Sequence, residues 1–261
     1  MSNDWTLTEP ARQEKPKPFI VIYGEPKIGK TTQFTKPDKC ILVPTEQGFD
    51  LSKPIMRLPA NRLAASWDDL LMSVNTLVKE EHDREWVVFD TLNGCVDLCA
   101  KHVCQRDFDG QWTAIPGKRG YNSYMEGEKQ CAQEFKRLLN GLELLRKKKG
   151  MGAIMLAHEG LHRKNSSLGD DFMAVGANIS KYSWHTVTAW ADQIGHACRE
   201  FIVSTPENKD KGKAHTISNE RQIVFAGGPE RDAGTRAGYE MPDKIPLRWS
   251  SYSDSLALNF K

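Results

Sequence analysis

The stretch Gly24-Glu25-Pro26-Lys27-Ile28-Gly29-Lys30-Thr31 satisfies G-x-x-x-x-G-K-[ST] at every position, the pattern of a backbone loop that wraps phosphate. Phe19-Ile20-Val21-Ile22-Tyr23 before it reads as a buried strand, and Lys30 to Phe34 reads as the start of a short helix. Strand, loop and helix in that order are the setting the pattern requires. The competing reading, a glycine turn that merely closes a strand, does not explain the lysine and the hydroxyl. Glycines let the backbone approach an anion, and exposed amides from Gly24 through Thr32 point at it. Lys30 is expected to neutralise the terminal phosphates, and Thr31 to offer its hydroxyl to Mg²⁺.

Outward from the loop, Cys40-Ile41-Leu42-Val43-Pro44 is a second apolar strand, followed by Thr45-Glu46-Gln47-Gly48-Phe49-Asp50. Ligands of open α/β sheets collect at the carboxyl ends of strands, so Glu46 is a candidate general base for an attacking water. A carboxylate that decorates a Gln-Gly turn is the alternative. The spacing of Leu70, Leu71, Val74, Leu77 and Val78 predicts a helix from Trp67 with acids in its first turn. Trp86-Val87-Val88-Phe89-Asp90 is an apolar strand that ends in an acid. A triphosphate needs a cation, and Asp90 is placed to hold Mg²⁺ through its water shell.

With 261 residues, 39% hydrophobic and 27% charged, the chain has the material for one α/β domain, or two small ones. Its net charge of +2 does not mark a nucleic-acid binder, so such a partner has to be argued from local loops. Residues 1–18 carry Pro10, Pro16 and Pro18 among charges and predict a flexible arm. They hold no secretory core, and no run is long enough for a bilayer, so the expectation is a soluble, cytoplasmic protein with no membrane partner. The six cysteines are irregularly spaced and read as reduced thiols. Cys95, Cys99 and His102 sit at helical spacing with Cys104 on the far side, which favours packing over zinc. His158-Glu159-Gly160-Leu161-His162 matches H-E-x-x-H, but zinc-protease chemistry needs a helix, whereas a strand leads in and Gly160 interrupts.

Between 105 and 121 lies a glycine-bearing loop with Arg106, Trp112, Lys118, Arg119 and Tyr121. Cations interleaved with aromatics suit single-stranded nucleic acid, and a solvated mixed-charge loop is the alternative. Residues 123–149 form a long amphipathic helix whose basic run Arg146-Lys147-Lys148-Lys149 fits its C-terminus, capped by Gly150. Gly152 to Ala157 makes a strand with His158 at its end. Residues 161–183, with Arg163, Lys164 and Lys181, read as a long polar loop. A helix over 184–191 and strands over 192–204 and 216–226, around a turn at 206–212, complete the core, with a loop-rich tail from 227.

This series of motifs resembles the phage-type AAA ATP-binding proteins with a RecA-like core, the group that includes phage single-strand annealing ATPases. Gly24 to Thr32 resembles their phosphate loop, and Pro44-Thr45-Glu46-Gln47-Gly48 resembles the strand end that carries the catalytic glutamate of RecA. The resemblance implies a mainly parallel sheet flanked by helices, with antiparallel strands at the C-terminal side, over residues 19–261. It also implies ATP with Mg²⁺, His158 as a polar γ-phosphate sensor, and DNA contacts near 105–121 and 159–183. Trp112, Lys118, Arg119, Tyr121, Arg163 and Lys164 are the candidates there. Thr235-Arg236-Ala237-Gly238 resembles the family's basic C-terminal segment, so Arg236 is either an arginine finger supplied across a subunit boundary or a surface arginine. A homo-oligomer, ring or filament, is implied, with single-stranded DNA and a single-stranded-DNA-binding protein as partners. A P-loop small-molecule kinase and a nucleotide-switched adaptor are the alternatives.

Overall fold

The run at 19–24 is apolar at successive rather than alternate positions, so it needs cover on both faces, as a central parallel strand receives. In the computed structural model, which describes residues 15–48, 55–165, 169–204 and 213–258, β1 (Phe19–Gly24) is buried throughout. It lies parallel to β5 (Gly152–Lys164) on one side and β7 (Gln193–Ser204) on the other. Beyond β5 the sheet continues, still parallel, through β4 (Trp86–Asp90), β2 (Cys40–Pro44) and β3 (Met56–Arg57). Beyond β7 come β8 (Lys213–Val224) and β10 (Lys244–Pro246), both antiparallel. β6 (Phe172–Ala177) pairs with the outer half of β5, and β9 (Gly234–Thr235) with the start of β7.

Alternation along β1 divides the core. Phe19, Val21 and Tyr23 face a layer built from α2 (Trp67–Lys79), α3 (Leu92–Asp107), α4 (Glu126–Lys149) and α5 (Lys181–Trp190). Ile20 and Ile22 face the opposite layer, where Phe34 of α1 (Lys30–Phe34) packs with Tyr252 and Leu256 of α6 (Trp249–Ala257). Ser66 and Asp69 close a reciprocal capping box on α2. α4 ends at Gly150 with φ 66° and carries its four basic residues in the last turn, so that run serves the helix end.

Several expectations change. β5 does not stop at His158 but runs through Gly160 to Lys164 and folds back as β6, so much of the stretch read as a polar loop is a hairpin. β6 is itself an apolar run, Phe172-Met173-Ala174-Val175-Gly176-Ala177, and the polar residues and glycine before it drew the whole stretch into the loop reading. α3 extends to Asp107, which shortens the following loop, and a 3₁₀ turn at Ser123–Met125 precedes α4. Cys104 is buried like Cys95 and Cys99, because α3 is covered by neighbours on more than one side. In the tail, Trp249, Tyr252 and Leu256 have helical spacing and form α6 over the α1 layer. Most of the N-terminal arm (1–14) and the turn at 206–212 lie outside the described residues. Residues 15–18 are held to the body, where the Tyr239 hydroxyl donates to the Pro16 carbonyl at 2.8 Å.

At the amino end of β1 sits Asp192, almost fully buried. Its carboxylate accepts from the Phe19 amide at 2.9 Å, Arg146 at 2.7 Å and Arg236 at 3.0 Å. Arg236 also donates to the Ala189 carbonyl at 2.8 Å. The Arg146 guanidinium lies 3.8 Å from the centre of the Phe19 ring, which stacks on Trp190. Removing the acid strands two cations and a backbone donor, so Asp192→Ala should cost about 3–5 kcal/mol. Arg236→Ala leaves Arg146 in place and removes a half-exposed partner, so about 1 kcal/mol is expected. Thermal melting of the two variants should show this order.

Candidate functional site

Register sets Gly24 beside His158 and Pro44 beside Asp90, so the carboxyl ends of β1, β2 and β4 meet along one edge beside His158 of β5. The phosphate loop leaves the sheet there. At Gly24 an added Cβ would approach the Ala197 carbonyl oxygen to 2.1 Å, so only glycine lets β7 pair alongside. Gly29 has φ 106°, the left-handed conformation that turns the loop into α1.

Lys30 is buried, and its ammonium donates to the carbonyls of Gly24 and Glu25, each at 2.8 Å. The Thr31 hydroxyl donates to Asp90 Oδ2 at 2.8 Å, which joins the two groups assigned to the cation. Thr32, also a proposed phosphate contact, follows on α1. Glu46 Oε1 and His158 Nε2 are 2.9 Å apart, so the candidate base and the candidate sensor are neighbours. Thr45 fixes this corner: its amide donates to the Asp90 carbonyl at 2.8 Å, and its hydroxyl accepts from the Thr91 amide at 2.8 Å.

Burial lowers the Lys30 ammonium from 10.5 to about 8, against the pull of Asp90, Glu159, Glu46 and Glu25. Burial also raises the Asp90 carboxyl, opposed by the Thr31 hydrogen bond and reinforced by the nearby Glu46. A lysine at the loop, a turn of backbone donors and a hydroxyl paired with an acid fit a phosphate chain with its divalent cation.

The other candidates fall into separate groups. Arg236 is at the far end of the sheet: β1 separates it from the phosphate loop by five residue steps, about 17 Å, and it is engaged with Asp192 of its own chain. Tyr121 is buried against Phe108 and the Gly127 backbone. Its ring has no free face for a base, which corrects that expectation, because the loop folds inward onto α4. Trp112, 4.9 Å from Tyr121 between ring centres, remains exposed. Lys118 pairs with Asp109 at 3.0 Å and Arg119 with Glu126 at 3.4 Å, both at the surface. On the β5–β6 hairpin, Arg163 pairs with Asp171 at 2.8 Å and Lys164 with Asp232. A hollow of about 350 Å³ lies there, lined by His162, Arg163, Lys164, Lys181, Trp184 and His185. Between α5 and the start of α4, the Tyr182 hydroxyl meets Met125 Sδ at 3.9 Å.

Sequence reading passed over four side chains that shape the site. Asn93 accepts from the His158 amide at 2.8 Å and donates to the Asn178 carbonyl at 2.7 Å. Glu159 meets His196 at 2.9 Å, and that imidazole stacks on Tyr23. The fourth is Arg221, which donates to the Ile28 carbonyl of the phosphate loop at 2.9 Å. Glu159 follows a strand-end histidine and had a local signal. The others lie far along the chain from what they touch.

A family model described as an AAA domain matches residues 17–237. None of the curated proteins compared with the chain matches it. Among solved structures, the RadB recombinase is similar at 12% identity and a TM-score of 0.43, with 80% of this chain and 81% of that chain covered. Because the family match takes in the phosphate loop, both acidic strand ends and the hairpin beyond them, the chain belongs to the AAA domain family as a P-loop nucleotide-binding protein.

Proposed function

We propose that this chain is a Mg²⁺-dependent ATPase that works as a homo-oligomer on single-stranded DNA, in recombination, annealing or replication of the phage kind. The observation that carries the catalytic part is the meeting of Lys30, the Thr31–Asp90 pair and the Glu46–His158 pair at one sheet edge. On binding, Lys30 exchanges its two loop carbonyls for phosphate oxygens. Thr31 and Asp90 would hold Mg²⁺, which when bound neutralises charge on the phosphates. Glu46 orients the attacking water as general base, and His158 holds that carboxylate in place while sensing the terminal phosphate. The catalytic set leaves out Arg236, whose guanidinium is committed to Asp192.

The DNA part is supported by the basic hollow on the hairpin and by the exposed Trp112 with Lys118 and Arg119. Each of these surface cations with an acid partner can exchange it for a phosphate at small cost, since exposed pairs are weak. ATP turnover measured with and without single-stranded DNA tests the whole reading. Stimulation supports it; turnover indifferent to DNA leaves a nucleotide-switched adaptor.

Lys30→Ala should weaken ATP binding on the order of 100-fold, whereas Glu46→Gln should bind within about threefold of the parent and lose about 10²–10⁴-fold in turnover. Equilibrium binding and steady-state hydrolysis separate the two. A Glu46→Gln protein with parental turnover removes Glu46 as base.

Lys30 also gives the site a pH signature. Its ammonium is lowered to about 8 in the free protein, and bound phosphate favours the charged form. Above pH 8 nucleotide binding should therefore take up a proton, approaching about one by pH 10, and affinity should fall up to tenfold per pH unit. Calorimetry of ADP binding in buffers of different ionisation enthalpy reads the uptake directly. Lys30→Ala should abolish it.

DNA affinity should fall steeply with salt. Changing Lys118, Arg119, Arg163 and Lys164 to alanine should reduce the slope of log K against log salt by up to about 3, at about 0.7 for each phosphate that is no longer neutralised. An unchanged slope would move DNA away from these loops.

A further inference from the structure

Arg221 reaches the phosphate loop from β8, 193 residues further along the chain, and donates from Nη1 to the Ile28 carbonyl at 2.9 Å. Its backbone is anchored on both sides. Arg199 of β7 is its register partner, and the Leu247 amide donates to its carbonyl at 2.8 Å. Past this point the β7–β8 ladder slips, so that Phe201 pairs with Thr216, and Arg221 therefore stands at the last regular pair before the irregularity. At Gly29 an added Cβ would come within 2.7 Å of the same Nη1, so the glycine leaves room for the guanidinium as well as for the turn.

A trans peptide directs its C=O and N–H to opposite sides. A donor clamped on the Ile28 oxygen therefore turns the Gly29 N–H away from Arg221, toward the inner side of the loop. A charged donor on the oxygen also polarises the peptide and strengthens that N–H as a donor. We propose that Arg221 is a positioning residue for nucleotide: its guanidinium holds the Ile28–Gly29 peptide so that the Gly29 amide is aimed at the bound phosphates. The inference rests on the reading of residues 24–31 as a nucleotide loop. It makes the β7–β8 hairpin part of the binding site.

The test is equilibrium binding of Mg-ADP and Mg-ATP to the full chain, compared with Arg221→Met, Arg221→Lys and Lys30→Ala. Methionine keeps the apolar stem and removes the donor. Arg221→Met should weaken both nucleotides about tenfold, the scale of one charge-assisted hydrogen bond, while the nucleotide-free melting temperature falls by only about 2–4 °C, so that the protein is fully folded in the assay. Arg221→Lys, which restores a donor, should recover affinity to within about threefold. The Met defect should persist at about 0.5 M salt, where the field of an exposed charge is screened. The proposal is overturned if Arg221→Met binds like the parent while Lys30→Ala does not, or if the defect vanishes in high salt. If the parent protein itself binds neither nucleotide, the phosphate-loop reading fails first.

Discussion

Parallel pairing of β1 with β5, β5 with β4 and β4 with β2 is the constraint on which the rest depends. Strands that run the same way must all end at the same edge. The loop after Gly24, the hydroxyl of Thr31 and the acids Asp90 and Glu46 come from three strand ends, and His158 from the strand that continues past them, yet they lie within hydrogen-bonding reach of one another in pairs. Such a sheet is stable only if both faces are covered, which the two helical layers do, with β1 buried at every residue. The chemistry of the edge is thus supported by apolar packing that takes no part in it.

Electrostatics divides the sheet into two unlike ends. At the amino end, Asp192 is satisfied by Arg146, Arg236 and a backbone amide. That cluster is closed and its role is to tie β1, β7, α4 and the C-terminal segment together. At the carboxyl end the balance is reversed: one buried ammonium faces Asp90, Glu159, Glu46 and Glu25. Arg236, despite its place in a segment of family-like sequence, pairs with Asp192 of its own chain.

The loop regions show how burial decides what an aromatic residue can do. Trp112 and Tyr121 lie in the same loop, but Tyr121 turns inward against Phe108 and α4 while Trp112 remains at the surface. Likewise, the segment after His158 is ordered by backbone pairing together with the burial of Ala174 and Ala177. The β5–β6 ladder supplies the hydrogen bonds that its sequence does not advertise.

The sequence by itself determined the phosphate loop, the apolar strands at 19–23, 40–44 and 86–90, the helix from Trp67 and the capped end of α4. In each of these, the decisive signal is local: a glycine spacing, an unbroken apolar run, a helical spacing behind acids in the first turn, or a basic last turn. Tertiary structure alone decided that His158 pairs with Glu46, 112 residues away, and that Arg236 belongs to Asp192. It also decided that β5 continues into a hairpin, that α6 covers Phe34, and that Arg221 reaches the phosphate loop across 193 residues. Those outcomes depend on strand register and on which side chains are brought together in space. Neither leaves a periodicity within a short window of sequence, because the partner that selects each conformation lies on a different element.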